Sequence, residues 1–280
     1  PTHPDSEKFL YELFTGLKAL GFRYFKIDFI SRLLNAAQFH NGGTALETVE
    51  HGLKIIRRAV GEDSLLTGCG MPLHSGYGIV DAMRIAGDIS TYWSNILASA
   101  REMSVTFWMN RRQWVNDPDF LIVRNPLTTG EPVYNPFFLP KPYQPFASRA
   151  GSQIDSLNEA RVWCSLLILS GGPIILSDRI GALNSTGVKM LETVLKWSGT
   201  ENAIPLDLFD SDMPEQWLQK REKDCILGLF NWRDVPKTLR IHPNVPAASA
   251  KELWTGEAIF LRTADEVTLP ARSVKLFIIS

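Results

Sequence analysis

The 280-residue chain contains only three cysteines, Cys69, Cys164 and Cys225. An odd and widely spaced set makes neither a disulfide framework nor a metal knuckle, and it fits a reducing, cytoplasmic compartment. Excess charge of one sign is also missing, since 29 Lys and Arg stand against 30 Asp and Glu for a formal net charge of -1. That balance gives no electrostatic grip on a phosphate backbone or an anionic membrane, so neither nucleic acid nor membrane is expected as a partner. No apolar run reaches the roughly 18 residues of a membrane span, and Pro1-Thr2-His3-Pro4 is not a signal peptide. A chain that opens on proline, in a loop-like stretch, is expected to lack upstream sequence. The five histidines, His3, His40, His51, His74 and His242, are scattered without metal spacing, and no cofactor is expected. There is no Gly-x-Ser-x-Gly elbow, and Gly68-Cys69-Gly70 and Gly76-Tyr77-Gly78 lack the third glycine and following helix of a nucleotide loop.

What the chain does have is alternation. Leu10, Leu13, Leu17 and Leu20 fall on one helical face between Asp5 and Gly21, and the β-branched and aromatic residues 22–29 then predict a buried strand. A helix over 45–60, with Leu46, Val49, Leu53 and Ile56 inward, precedes a strand at 64–69. Strands at 79–85, 113–115 and 173–177 alternate with helices over 91–108, 155–169 and 188–197. Helices of this length between short strands imply parallel strands with crossover helices, and the fold class expected is α/β, part of a (β/α)₈ barrel. Only five strands can be counted where a closed barrel has eight, so about three are expected to lie upstream. An open doubly wound sheet is the alternative. From about 204 the pattern changes to short strands at 225–232, 237–241, 251–260 and 267–279 with no helix between them. The expected organisation is therefore a barrel portion at 1–203 and an antiparallel β domain at 204–280, whose role is to cap the barrel or to bind sugar by itself. The stretch 125–153, with six prolines and Tyr134, Phe137, Phe138, Tyr143 and Phe146, is far longer than an ordinary connection. Its aromatics either stack on sugar rings or pin the loop to the surface.

Two carboxylates stand out for chemistry. Asp28 closes Tyr24-Phe25-Lys26-Ile27-Asp28-Phe29, and Asp88 follows Arg84-Ile85-Ala86-Gly87. Glycoside hydrolysis needs such a pair, one to attack or stabilise the sugar cation and one to protonate the leaving oxygen. Lys26, two residues before Asp28, points to the same side of a strand, and its charge favours the ionised carboxylate that a nucleophile requires. Arg84 offers a planar fork for adjacent sugar hydroxyls, and burial of Asp88 is expected to keep it protonated for the acid role. Asp81 faces the other way and is expected to serve packing, while Asp117, Asp119 and Asp178 sit at later strand ends and are candidates to shape the site floor or hold a cation.

Taken together, FKIDF around Asp28, AVGEDSLLTGCGMPL at 59–73, VDAMRIAGD at 80–88, WVNDPDFLIVR at 114–124 and SGGPIILSD at 170–178 resemble α-galactosidases of glycoside hydrolase family 36, in clan D. The resemblance extends to Leu229-Phe230-Asn231-Trp232 and Leu253-Trp254-Thr255-Gly256 in the β domain. It implies a retaining mechanism with Asp28 as nucleophile and Asp88 as acid/base, Lys26 and Arg84 holding galactose hydroxyls, and the Cys69-Gly70 turn near the sugar. It also implies an upstream β-sandwich and first barrel strands that complete the galactose site. The expected partner is an α-galactoside oligosaccharide or glycoconjugate, and a homo-oligomer stays open. Nearer alternatives are an α-N-acetylgalactosaminidase and a galactosyl transglycosylase. A Schiff-base enzyme using Lys26, and a carbohydrate-binding protein without turnover, are alternatives of other classes.

Overall fold

The computed structural model describes residues 1–36, 38–129, 156–211 and 213–280. The expectations placed on Tyr134, Phe137, Phe138, Tyr143 and Phe146 lie outside the described residues. The chain divides into two compact units, Pro1–Ile85 with Met109–Asp117, and Ala86–Trp108 with Pro118–Ser280.

In the first unit, α1 (Pro4–Ala19), β1 (Tyr24–Ile27), α2 (Ala45–Val60), β2 (Leu65–Gly68), β3 (Ala82–Arg84) and β4 (Val115–Asp117) form a four-stranded sheet in the order β1-β2-β3-β4, parallel throughout. Local chemistry sets the helix ends. The Thr44 hydroxyl accepts from the Glu47 amide, and the Glu47 carboxylate accepts from the Thr44 amide at 2.8 Å, a reciprocal cap that satisfies two otherwise orphaned donors. Gly61, at φ +70, ends α2 where a side chain would be strained. Between these ends, Val49, Leu53, Ile56 and Val60 lie on the buried side and pack with Phe25 of β1, Leu66 of β2 and Met83 of β3. Each such side chain contributes about 1.5–3 kcal/mol. Arg57 ties the last turn of α2 to the start of the strands: it donates to the carbonyls of Ile79 and Ser64 and pairs with Asp81 at 2.5 Å. Asp81 also accepts from the Leu66 amide at 2.7 Å, so its role is the packing one expected.

The second unit holds α3 (Trp93–Thr106), α4 (Leu157–Ser170) and α5 (Ser185–Trp197), followed by eight strands. These are β5 (Ile204–Pro205), β6 (Gln216–Lys220), β7 (Cys225–Asn231), β8 (Lys237–Arg240), β9 (Ala248–Glu252), β10 (Ala258–Leu261), β11 (Glu266–Leu269) and β12 (Ser273–Ile279). Six of them form one sheet in the order β10-β9-β12-β7-β6-β5, and β11 pairs with β8. Leu227, Leu229, Leu261, Leu269 and Phe277 fill the core between them. Helix α4 is apolar on nearly every side and packs on this sheet. Gly228 permits the approach, because a Cβ there would lie 2.8 Å from Leu169 Cδ1.

Four expectations need correction. The strand expected at 113–115 occupies 115–117, and the one expected at 173–177 is reduced to a single parallel bridge between Leu121 and Leu176. The run 251–260 is two strands, because Glu252 accepts from the amide and hydroxyl of Thr255 and Gly256 takes φ +80, which turns the chain. The run 267–279 also breaks, at Pro270, which has no donor, and at Arg272, whose φ is +44. Strand β6 was missed because its glutamines disguise it. Both are buried and satisfied, Gln219 by the carbonyls of Ile168 and Glu201 and Gln216 by that of Arg240.

Candidate active site

Helix α2 and its core hold β1 and β2 side by side, in the register Ile27 opposite Gly68, so the residues just beyond their C-terminal ends meet. The Cys69 amide donates to the Ile27 carbonyl at 2.8 Å, and the Ser31 amide to the Gly70 carbonyl at 2.7 Å, lacing the two loops together. Asp28 sits at this junction. One of its oxygens, Oδ1, accepts from the Phe29 amide at 2.6 Å, and Phe29 itself adopts a left-handed φ of +59, a conformation that costs a bulky residue roughly 1–3 kcal/mol. Phe29 is exposed, so nothing buried repays that strain, and its effect is to aim the turn that carries the carboxylate.

Gly70 is fitted against Asp28. At φ +54 it occupies the left-handed region, and a Cβ would stand 2.8 Å from Asp28 Oδ1 and 3.2 Å from the Phe29 amide nitrogen. The turn therefore needs glycine twice, for its backbone and for the space that the carboxylate fills. Next to it, burial pushes the Cys69 thiol up to about 11. Lys26 opposes that shift by its charge, the hydrogen bond and charge of Asp28 add to it, and Arg84 opposes it weakly. At neutral pH Cys69 is thus an uncharged thiol hydrogen-bonded to Asp28. The same set of interactions shows that Lys26, Asp28, Cys69 and Arg84 share one electrostatic neighbourhood, with Lys26 half-buried, Arg84 6% exposed as the last residue of β3, and Asp28 open to solvent. Five of the residues singled out in the sequence, Lys26, Asp28, Cys69, Gly70 and Arg84, are therefore brought together.

Asp88 belongs to the second unit. Its expected burial is not found: it is exposed, four residues past the end of β3, because the strand stops at Arg84 and the chain has left the sheet. The loop around it is nevertheless fixed. The Ile89 amide donates to Asp119 Oδ2 at 2.6 Å, and Asn95, whose Oδ1 accepts from the Ser90 hydroxyl, donates through Nδ2 to the Asp88 carbonyl at 3.0 Å. Asp119 is 2% exposed and takes a left-handed φ of +103 to reach this position. Sequence reasoning offered Asp119 as a floor or cation residue, and the tether it makes was missed. Asn116-Asp117-Pro118-Asp119 signals a turn, but no local signal names an amide 30 residues earlier. Asp178 is likewise a structural anchor, since it pairs with Arg124 at 2.7 Å and accepts from the Val123 amide at 2.6 Å, with both side chains buried. Asp117 ends β4, is buried, and its carbonyl accepts from Ile85 at 3.0 Å. Among the described residues, no group of three or more His, Cys, Asp and Glu side chains is placed to hold a metal ion.

No family model matches the chain. Its backbone is similar to that of a GH27 β-L-arabinopyranosidase from Geobacillus stearothermophilus, with a TM-score of 0.70 and 15% identity over 99% of this chain and 62% of that one. It is similar to α-galactosidase I from Mortierella vinacea, with a TM-score of 0.63 and 16% identity over 95% of this chain and 70% of that one. An isomalto-dextranase from Arthrobacter globiformis T6 also superposes, with a TM-score of 0.64 and 16% identity over 98% of this chain and 48% of that one. The chain thus shares a fold with solved glycosidase structures, and spans 62% of the length of the arabinopyranosidase.

Proposed function

We propose that this chain is the C-terminal part of a retaining exo-glycosidase that removes terminal α-galactosyl groups, and that its four parallel strands belong to a (β/α)₈ barrel. The observation that carries this reading is the Lys26, Asp28, Cys69 and Arg84 cluster at the C-terminal ends of parallel strands, the face on which barrel enzymes do their chemistry. The shared fold with glycosidases supports it. α-Galactoside, as opposed to the sugars named for other structures of this fold, is proposed on the sequence motifs around Asp28 and Asp88.

In the reaction, an Asp28 oxygen attacks the anomeric carbon as the bond to the leaving oxygen breaks, and the Asp88 proton passes to that oxygen. Water then attacks the glycosyl-Asp28 ester, Asp88 takes the water's proton, and the carboxylate is released. The Cys69 thiol adds a hydrogen bond to Asp28, and Lys26 and Arg84 act by charge on that same thiol. Because Phe29 N–H and Cys69 both engage Asp28, the carboxylate is oriented before substrate arrives, which lowers the cost of reaching a reactive geometry.

The test is made in the full-length protein. Asp28→Ala is expected to abolish release of nitrophenol from an aryl α-galactoside, and added azide to restore it with formation of a β-galactosyl azide. Retained activity in Asp28→Ala would refute the assignment of the nucleophile.

A further inference from the structure

A second concavity lies wholly within the other unit. Helices α4 and α5 and the turn between β9 and β10 enclose a cleft of about 800 Å³ that shares no residue with the Asp28 cluster. Its wall on the α5 side is built by helical spacing, since Thr186, Lys189, Thr193 and Lys196 recur every three or four residues while Met190, Leu191 and Val194 turn into the core. A polar helix face is ordinarily just a solvated surface. Here it lines one cleft with Arg161 of α4, Lys251 of β9 and Trp254 of the turn between β9 and β10.

Three features set the cleft apart. Among the described residues, none of Arg161, Lys189, Lys196 and Lys251 takes part in an ion pair, although all four line one cleft. Trp254 is held in place by a 2.9 Å hydrogen bond from its indole nitrogen to Ser165, and Trp197 is held by the guanidinium of Arg221, 5.9 Å from its ring centre. Ser185 and Thr186 add hydroxyls to the lining, and Thr193, which also lines it, donates its hydroxyl to the Lys189 carbonyl. Lys196 lies 5.9 Å from the centre of the Trp197 ring, and like charges lining one cleft favour an anion between them. A fixed indole offers a flat apolar face of the kind that packs against the C–H side of a sugar ring, and the hydroxyls suit its oxygens. The volume is within the range of small-ligand sites.

We propose that this cleft is a binding site for an acidic oligosaccharide, a short sugar chain carrying carboxylate or sulfate groups. It would hold a charged portion of a glycan independently of the hydrolytic step. The experiment is calorimetry on the full-length protein carrying Asp28→Ala, so that no probe is turned over, with trigalacturonate, neutral galactotriose and inorganic sulfate as separate titrants. Trigalacturonate is expected to bind and to weaken as salt rises. Lys189→Gln and Lys251→Gln are expected to weaken it about two- to fivefold each, with unchanged melting temperature and, when each is made in the protein that retains Asp28, unchanged hydrolysis of an aryl α-galactoside. Equal affinity for galactotriose, equal affinity for sulfate, binding indifferent to both lysine variants, or no binding of trigalacturonate would each overturn the proposal. None of these outcomes depends on whether Asp28 is a nucleophile.

Discussion

The tightest fit around Asp28 is its contact with Gly70, and a single methyl group tests it. In Gly70→Ala the new Cβ meets Asp28 Oδ1 at 2.8 Å, where ordinary contact begins at 3.4 Å, so the carboxylate or the turn must shift by roughly half an ångström or more. The backbone is strained too, since φ is +54 and a side chain in the left-handed region costs roughly 1–2 kcal/mol. Strain alone would lower the melting temperature by about 2–8 °C. Gly78 supplies the control. It has φ +69 in the same unit, but a Cβ there meets nothing within 4 Å, so Gly78→Ala incurs the backbone strain without touching a carboxylate. The two variants should therefore lose similar stability, measured by thermal denaturation, and differ in catalysis. For Gly70→Ala, kcat/KM on an aryl α-galactoside should fall roughly tenfold to a hundredfold, as expected when a reacting group is misplaced by a fraction of an ångström to an ångström, while Gly78→Ala should stay near the wild-type value. Equal kcat/KM in the two variants would show that the position of the Asp28 carboxylate does not govern the reaction.

Other positions give independent tests. Asp119→Ala leaves the buried Ile89 amide without its acceptor, which should cost about 1–3 kcal/mol of stability and slow substrates with poor leaving groups more than activated ones, as measured by comparing alkyl and nitrophenyl galactosides. Asp178→Ala strands the buried Arg124 charge and should destabilise by about 3–5 kcal/mol in denaturant titration; a change under about 1 kcal/mol would mean that the pair is hydrated. Because burial lifts the Cys69 thiol to about 11, iodoacetamide should label it slowly at pH 7 and faster as pH rises toward that value, and labelling of Cys69 ahead of the less buried Cys225 near neutral pH would contradict this. Leu53→Ala, which opens a cavity between α2 and the sheet, should cost about 2–5 kcal/mol by chemical denaturation.

How much could be read beforehand depended on whether a signal was local. The span of α2 was legible, because Gly61 marks its end and Val49, Leu53 and Ile56 its inner face, but Leu46, expected inward with them, is 40% exposed in its first turn. Lys26 and Asp28 were expected on one strand two residues apart, but the strand ends at Ile27, so only Lys26 lies in it and Asp28 sits in the turn that follows. β6 was not legible, since Gln216 and Gln219 look like surface residues until carbonyls distant in sequence are seen to satisfy them. The two runs read as single long strands failed at Thr255 and Arg272, where a side-chain hydrogen bond in one case and a positive φ in the other break an otherwise continuous apolar pattern. Asp119 and Asp178 showed their residue type but not their work, because each carboxylate meets a backbone amide far along the chain. The exposure of Asp88 was misjudged because the strand expected at 79–85 ends at Arg84, and the chain has left the sheet before Asp88.

The notch at Gly228 reaches beyond local fit. With Leu169 seated there, Gln219 bonded to the carbonyls of Ile168 and Glu201, and Trp254 bonded to Ser165, the C-terminal sheet and helix α4 interlock like two halves of a hinge pin. Expressing residues 204–280 by themselves would bare a greasy flank along β7 and β12 and cut those anchors, so the fragment should precipitate. Shuffling this module between relatives would succeed only if α4 travelled with it.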